Sequence, residues 1–339
     1  MVDVGVVFPE GRGVARWAER NAASPVPSRW PYGLDGLASP GLTLTDREVR
    51  PPSRLATQAY ARGLALPTFG EPKLDVAITW EESLAVAMRS QVRARRHACG
   101  VIWATDAVAA GAATPAVHAT RTALRSMDVL WTLARPQVER VESWLGAGHP
   151  PVHHLPFGVD TEFYAPSAYP EQPLVTSIGG DRDRDPETLY AALELVLRAR
   201  SDARVIIGSK SPLPVPTGVE RHEFIPHDEV RRLFARASAV AIATRPNWHV
   251  SGMTVALEAG ACARPVVACT TPGMDDYVVP GKTGELVPPQ DPEAMAEAVL
   301  GLLDDRDRAA RMGWAAREHV VAHHSTTIMC ESLRAIALG

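Results

Sequence analysis

From residue 174 to residue 287 short apolar runs rich in Val and Ile alternate with segments of helical spacing, and this alternation most constrains the fold. The runs are 174–178, 205–207, 224–225, 240–243, 266–268 and 286–287. Runs this short and this apolar suit strands buried on both faces, which requires a parallel sheet with helices over it. Asp185-Pro186-Glu187 carries a capping acid, a proline at the first helical position and a first-turn acid, so a helix starts there. Leu189, Ala192, Leu193, Val196 and Leu197 then recur on one face of it. Further helices are expected from Asp228, Met253 and Pro292, giving a Rossmann-like series.

A second set of strand-like runs precedes it, at 2–8, 75–79, 100–104, 128–132 and 152–155. The length of 339 residues exceeds what one core usually organises, so two domains are expected. Residues 81–97 are expected to be helical, with acids in the first turn and Arg93, Arg95, Arg96 and His97 complementing the dipole at the end. The alternative, that these arginines dock on an anionic membrane, is weakened by the single aliphatic residue Val92 in the strip. Residues 11–72 carry many prolines and no sustained period, so an irregular segment serving as a binding wall or lid is expected there. Trp30 and Tyr32 either stack on a bound ring or plug this segment onto the domain.

A formal net charge of −4 excludes a dominant basic surface, so nucleic acid is not an expected partner. The four cysteines, Cys99, Cys262, Cys269 and Cys330, include no Cys-x-x-Cys pair and read as buried reduced thiols. The first apolar run lacks a basic flank and stops at Pro9, and no later run reaches membrane-spanning length. A cytoplasmic location is expected, with no membrane association, as a monomer or homodimer.

Residues 244–284 narrow the chemistry. A loop containing Gly252 leads into a helix carrying one acid, Glu258; a short strand and a second glycine turn at Gly273 follow. A helix N-terminus offers unpaired N–H groups and partial positive charge to phosphate, and a carboxylate a turn or two along can accept ribose hydroxyls. This segment resembles the donor-binding region of family-4 retaining glycosyltransferases. Leu155-Pro-Phe-Gly-Val-Asp160 is similar to the segment closing that family's first domain, and Pro280-Gly-Lys-Thr-Gly-Glu-Leu-Val-Pro-Pro matches its stretch beyond the second glycine turn.

The resemblance implies an α/β chain of the GT-B fold, two Rossmann-like domains facing a central cleft. Residues 1–165 would form an acceptor-binding domain, 166–173 a proline-rich linker, 174–310 a nucleotide-sugar-binding domain, and 311–339 helices crossing back to the first. Glu258 corresponds to the second glutamate of the family's Glu-x7-Glu motif, the ribose ligand; otherwise it is a buried helix acid paired with an arginine such as Arg264. The first glutamate is replaced by Val250, beside His249. Ser251, Gly252, Met253 and Thr254 would then offer backbone N–H groups and a hydroxyl to the sugar or diphosphate. In the loop Gly179-Gly180-Asp-Arg-Asp-Arg184-Asp, Arg182 and Arg184 stand nearest the family's cations for the leaving diphosphate, with Lys210 a further candidate and Ile225 placed with the donor. Any of these cations could instead be a solvated charge. Where the family often has a histidine in the first domain, this chain has Asp106, either a polar group near the reacting carbon or a helix cap. Glu81 has the same ambiguity; Trp80 and Trp103 stand at strand ends where one could line an acceptor site.

Asp181-x-Asp183 imitates a metal motif, but Asp185 is explained as a cap and the second Rossmann series argues against the other glycosyltransferase fold. No metal and no cofactor beyond the UDP- or GDP-linked donor substrate is expected. Gly281-Lys-Thr283 imitates a P-loop, yet the glycine required earlier is Asp276. The expectation is transfer of a sugar from a nucleotide diphosphate sugar to a small natural-product acceptor with retention. The alternatives are a sugar-nucleotide epimerase of the same fold or an inert nucleotide-sugar-binding subunit.

Overall fold

The computed structural model describes residues 1–66, 68 and 70–339. The chain divides into two compact units, one comprising Met1–Ala23, Ser28–Pro156 and Met329–Gly339, the other Ser24–Pro27 and Phe157–Ile328. The first contains β1 (Val2–Pro9), α1 (Val14–Arg20), β2 (Leu42–Val49), α2 (Arg54–Ala61), β3 (Leu74–Thr79), α3 (Ala85–Gln91), β4 (Ala94–Gly100), α4 (Ala104–Ala109), α5 (Pro115–Arg125), β5 (Val129–Thr132), α6 (Arg135–Leu145) and β6 (Val152–His154). All its strands are parallel, in the order β2-β1-β3-β4-β5-β6.

The second contains β7 (Leu174–Ile178), α7 (Pro186–Ala199), β8 (Arg204–Gly208), β9 (Val219–His222), α8 (His227–Arg236), β10 (Ala239–Ile242), α9 (Met253–Ala261), β11 (Val266–Cys269), β12 (Gly284–Val287), α10 (Pro292–Asp304) and α11 (Arg306–His323). Its sheet is parallel in the order β12-β11-β10-β7-β8-β9. β10 and β11 are fully buried, as their unbroken apolar runs require. α7 begins as expected, with the Asp185 carboxylate accepting from the Thr188 amide at 3.1 Å. The last helix, α12 (Thr326–Leu338), enters the first unit at Met329, where Arg334 donates to the carbonyls of Gly36, Leu37 and Ala38. All four cysteines are buried and unpaired. No helix among the described residues is long and apolar enough to cross a membrane.

Four expectations need correction. Residues 81–97 are not one helix: α3 ends at Gln91, and residues 94–100 form β4, pairing with β3 from Leu74↔Ala94 to Thr79↔Cys99. The arginines therefore lie at a strand's N-terminal end, and Arg95 pairs with Asp75 of β3 at 3.4 Å instead of closing a helix. The strand expected at 100–104 is displaced with them. A Cβ at Gly100 would overlap the Trp80 carbonyl, and the chain then turns into α4 while buried Glu82 accepts the Ile102 and Trp103 amides at 2.7 and 2.8 Å. Residues 11–72 are not irregular throughout, because they contain α1, α2 and the edge strand β2, registered with β1 from Val2↔Leu42 to Pro9↔Val49. Likewise the expected strand at 224–225 is a loop; the edge strand is β9, and Phe224 is exposed.

α11 packs on α9 and, through Gly313, on the turn that follows α9, where a Cβ would overlap the Ala263 carbonyl oxygen and a backbone atom cannot give way. Gly313→Ala should lower stability by about 2 kcal/mol, although alanine is the better helix former by about 1 kcal/mol. Urea denaturation checks this; an unchanged or raised midpoint would mean that α11 does not meet that turn at this residue.

Candidate functional site

In the second sheet the chain runs outward from β7 to β8 and β9, then returns to place β10 on the other side of β7. The loops leaving these two neighbours diverge, and open parallel sheets bind ligands at that switch point. The loops concerned are 179–185 after β7 and 243–252 after β10. Backbone bonds tie them together: the Asp185 amide donates to Ala243 O at 3.1 Å and the Arg245 amide to Asp183 O at 2.8 Å.

Asp181 organises the pair. Its carboxylate accepts from the Asp183 amide at 3.0 Å, Arg184 Nε at 3.1 Å and the Ser251 hydroxyl at 2.8 Å. Asn247 Oδ1 accepts the Ser251 amide at 2.9 Å, fixing the second loop from within. Arg184 is the central cation, its side chain 13% exposed. Its guanidinium occupies the space beside Gly179 (φ 145°) and Gly252 (φ 93°), where a Cβ on either would collide with it or with Ile242. Both glycines therefore supply backbone conformation and room together. Burial lowers the Arg184 pKa while the Asp181 carboxylate opposes that.

Gly252 caps α9, whose all-buried face carries Glu258. Its partner is not Arg264, which donates to carbonyls of Phe234, Ala235, Ala263, Ser167 and Ala168. Instead the Tyr164 hydroxyl donates to Glu258 Oε1 at 2.9 Å and lies 3.4 Å from His227 Nδ1. Burial raises the Glu258 pKa from 4.5 to about 7, against the lowering effects of the Tyr164 bond and the Arg184 charge. An acid poised there is sensitive to any donor group that arrives.

The structure thus brings Gly179, Arg184, Ser251, Gly252 and Glu258 together. Met253 is buried and Thr254 half-buried in the first turn of α9. His249 is buried with Nε2 3.7 Å from the Asp183 carboxylate. Val250, in place of the family's first glutamate, is buried with φ 55°, an unfavourable conformation for a β-branched residue. Gly180 and Lys210 are exposed at the same end of the sheet, where the Gly179 amide donates to Gly208 O at 3.2 Å. Ile225 packs against the apolar cluster of Leu174, Ile206 and Leu233. Arg182 is 54% exposed and pairs with Asp183 at 3.1 Å, a solvated pair of small energetic weight. Asp106 lies in the first turn of α4 in the first unit, and Trp103, not Asp106, stands at the cap. Gly273 caps only the three-residue turn Met274–Asp276. Sequence reasoning missed Tyr164 and His227 as neighbours of Glu258; the aromatic closing the segment after Gly-Val-Asp160 was the available signal.

Residues 173–305 match the model of the group 1 glycosyl transferases. The chain is 32% identical, over 61% of its length and 61% of the relative's, to a GDP-mannose-dependent monoacylated alpha-(1-6)-phosphatidylinositol monomannoside mannosyltransferase of Corynebacterium glutamicum. It is 37% identical to a D-inositol 3-phosphate glycosyltransferase of Catenulispora acidiphila, over 39% of the chain and 34% of that protein. The chain therefore spans less than two thirds of either relative. Its fold matches that of sucrose-phosphate synthase from Thermosynechococcus elongatus with a TM-score of 0.71, 17% identity, and 98% and 97% of the two chains covered. With two parallel six-stranded sheets and this neighbour, the chain has the GT-B fold, and its residues 173–305 carry the match to the group 1 glycosyl transferases.

Proposed function

We propose that the chain is a glycosyltransferase that moves a hexosyl group from a nucleotide diphosphate sugar to a hydroxyl acceptor with retention of configuration. The observation that carries this reading is the Arg184 guanidinium held between Gly179 and Gly252, with Glu258 one to two turns along α9. Diphosphate would lie against Arg184 and the N–H groups at the start of α9, and ribose hydroxyls would donate to Glu258. As the bond to the sugar breaks, negative charge grows on the diphosphate, and a preorganised cation stabilises that change. Retention fits departure and attack on one face, with no side-chain nucleophile required.

GDP-mannose is the first donor to test and an inositol-containing compound the first acceptor, because the relatives' names specify GDP-mannose, phosphatidylinositol monomannoside and inositol 3-phosphate. A natural-product acceptor, the expectation from sequence, draws no support from these relatives. Both relatives are transferases, which favours transfer over epimerisation. Donor binding without turnover against any acceptor would favour the inert-subunit alternative that Val250 motivates.

The Glu258 pKa sets a pH dependence. Ribose hydroxyls need the ionised carboxylate, so GDP-mannose should bind about tenfold more weakly at pH 6 than at pH 8, with a proton released on binding. The free protein has the opposite slope. A raised folded-state pKa stabilises below about 4.5, and that contribution is lost as pH rises through about 7. Glu258→Gln should flatten both profiles, and Glu258→Ala should weaken donor binding by about 1–3 kcal/mol. Calorimetric titration checks both; an unaltered pH profile in Glu258→Gln refutes the ribose assignment.

Arg184→Ala should lower kcat by about 100-fold, more than it raises donor Kd, whereas Arg182→Ala should stay within about threefold of wild type. Steady-state kinetics decides, with circular dichroism as the folding control, and equal kinetics for the two variants would leave neither as the diphosphate clamp. Turnover should also survive EDTA, because Asp181 is engaged by Arg184, Ser251 and the Asp183 amide. Asp183→Asn should change the rate less than about tenfold, but Asp181→Asn should cost more, through misplacing Arg184. Loss of activity on chelation, restored by manganese, would reassign this loop to metal binding.

A further inference from the structure

The first sheet has its own switch point, between β1 and β3, because the chain passes from β1 to the edge strand β2 and returns on the other side of β1. Two aromatic residues from the segment following α1 cover the strand ends that flank it. Trp30 meets Phe8 of β1 edge on, with ring centroids 6.3 Å apart. Tyr32 lies parallel to Trp80, the residue after β3, at 4.7 Å and 13°. Trp80 is buried and faces Trp131 at 6.5 Å, so the stack is anchored in the core. Tyr32 remains 47% exposed, which, with one ring face on Trp80, leaves the other face to solvent.

A carboxylate adjoins the stack. Glu81 accepts the Trp103 indole N–H at 2.9 Å and the Ser83 hydroxyl at 2.7 Å. An ionised carboxylate has about four lone-pair sites, so two fixed donors hold it in place and leave capacity for a ligand's hydroxyls. The backbone at Tyr32 is left-handed, with φ 60° and ψ 13°, followed by Gly33 at φ 72°. That conformation is unfavourable for a tyrosine, and such strain concentrates where a side chain must be presented.

We propose that Tyr32 and Glu81 form an acceptor subsite for a six-membered polyhydroxylated ring, a pyranose or a cyclitol. The electron-rich face of Tyr32 receives the ring's C–H face, and Glu81 accepts its hydroxyls. Glu81 disfavours an anionic substituent at the hydroxyls it contacts, so any phosphate on the acceptor points away from it. The role of this ring as acceptor rests on the transferase reading; its binding does not.

The test is tryptophan fluorescence, which Trp80 beneath Tyr32 makes sensitive to a stacked ligand. Wild-type protein is titrated with myo-inositol, with methyl α-D-mannopyranoside and with open-chain mannitol, and GDP is tested separately by thermal shift. A saturable change with at least one ring polyol and none with mannitol is expected. Tyr32→Asn and Glu81→Gln should each weaken that binding by about tenfold. Asparagine tolerates the left-handed conformation, so Tyr32→Asn should not lower Tm. GDP should raise the Tm of all three proteins. Ring binding without a GDP effect would support the subsite and count against the donor assignment instead. The proposal is overturned if neither ring polyol saturates, if Tyr32→Asn binds as wild type, or if Tyr32→Asn lowers Tm with affinity unchanged, the mark of a plug.

Discussion

A guanidinium buried at the end of a parallel sheet must have a counter-charge, and the Arg184–Asp181 pair meets that need in a way that shapes everything around it. Asp181 belongs to the same loop as Arg184, so the charge is balanced locally. The carboxylate's remaining lone pairs are then free to take the Asp183 amide and the Ser251 hydroxyl, which joins the loop after β7 to the loop after β10. A side chain at Gly179 would stand in the guanidinium, and one at Gly252 would overlap Ile242 and crowd the same guanidinium. One ion pair therefore accounts for Gly179, for the Ser251 contact and for the tie between two loops.

Both units turn the same topological rule to different chemistry. Each sheet reverses its winding once, between β1 and β3 in the first and between β7 and β10 in the second, and at each reversal the flanking loops part. The second unit fills its opening with a cation, a helix start and a buried acid, groups suited to an anionic donor. The first fills its opening with Tyr32 on Trp80 and with Glu81. Aromatic faces and a carboxylate suit an uncharged, hydroxyl-rich ring and not a diphosphate. The division of labour between two similar sheets thus resides in a few side chains at strand ends, and not in the sheets themselves.

Where burial is complete, the sequence was readable. β10 and β11 are continuous apolar runs, and α7 carries its cap, its proline and its periodic face in plain order. Two of the edge strands were not readable, because β2 has Asp46, Arg47 and Glu48 on a half-exposed edge and β9 has Glu220, Arg221 and His222. Charges also disguised β4, whose Arg95 and Arg96 look like a helix end until Asp75 on the neighbouring strand is seen to pair with one of them. In the site, Glu258, Arg184 and the glycines could be named through the resemblance of these segments to a known donor-binding region. Which partner Glu258 takes could not, because Tyr164 is 94 positions away and only the fold brings them together.

That unreadable contact decides how the acid behaves. With an arginine as its partner, as the sequence allowed, Glu258 would be ionised at any physiological pH and would need no ligand. With a tyrosine hydroxyl as partner and Arg184 already committed to Asp181, burial wins and the pKa rises to about 7. The carboxylate is then under-supplied with donors when the site is empty. Hydroxyl groups arriving in pairs, as a ribose would bring under the proposed donor reading, would supply what the fold withholds and shift the balance toward the ionised form. A buried acid left short of partners is costly to the free protein and responsive to donors that arrive. The same residue read as a salt-bridged helix acid would contribute neither effect.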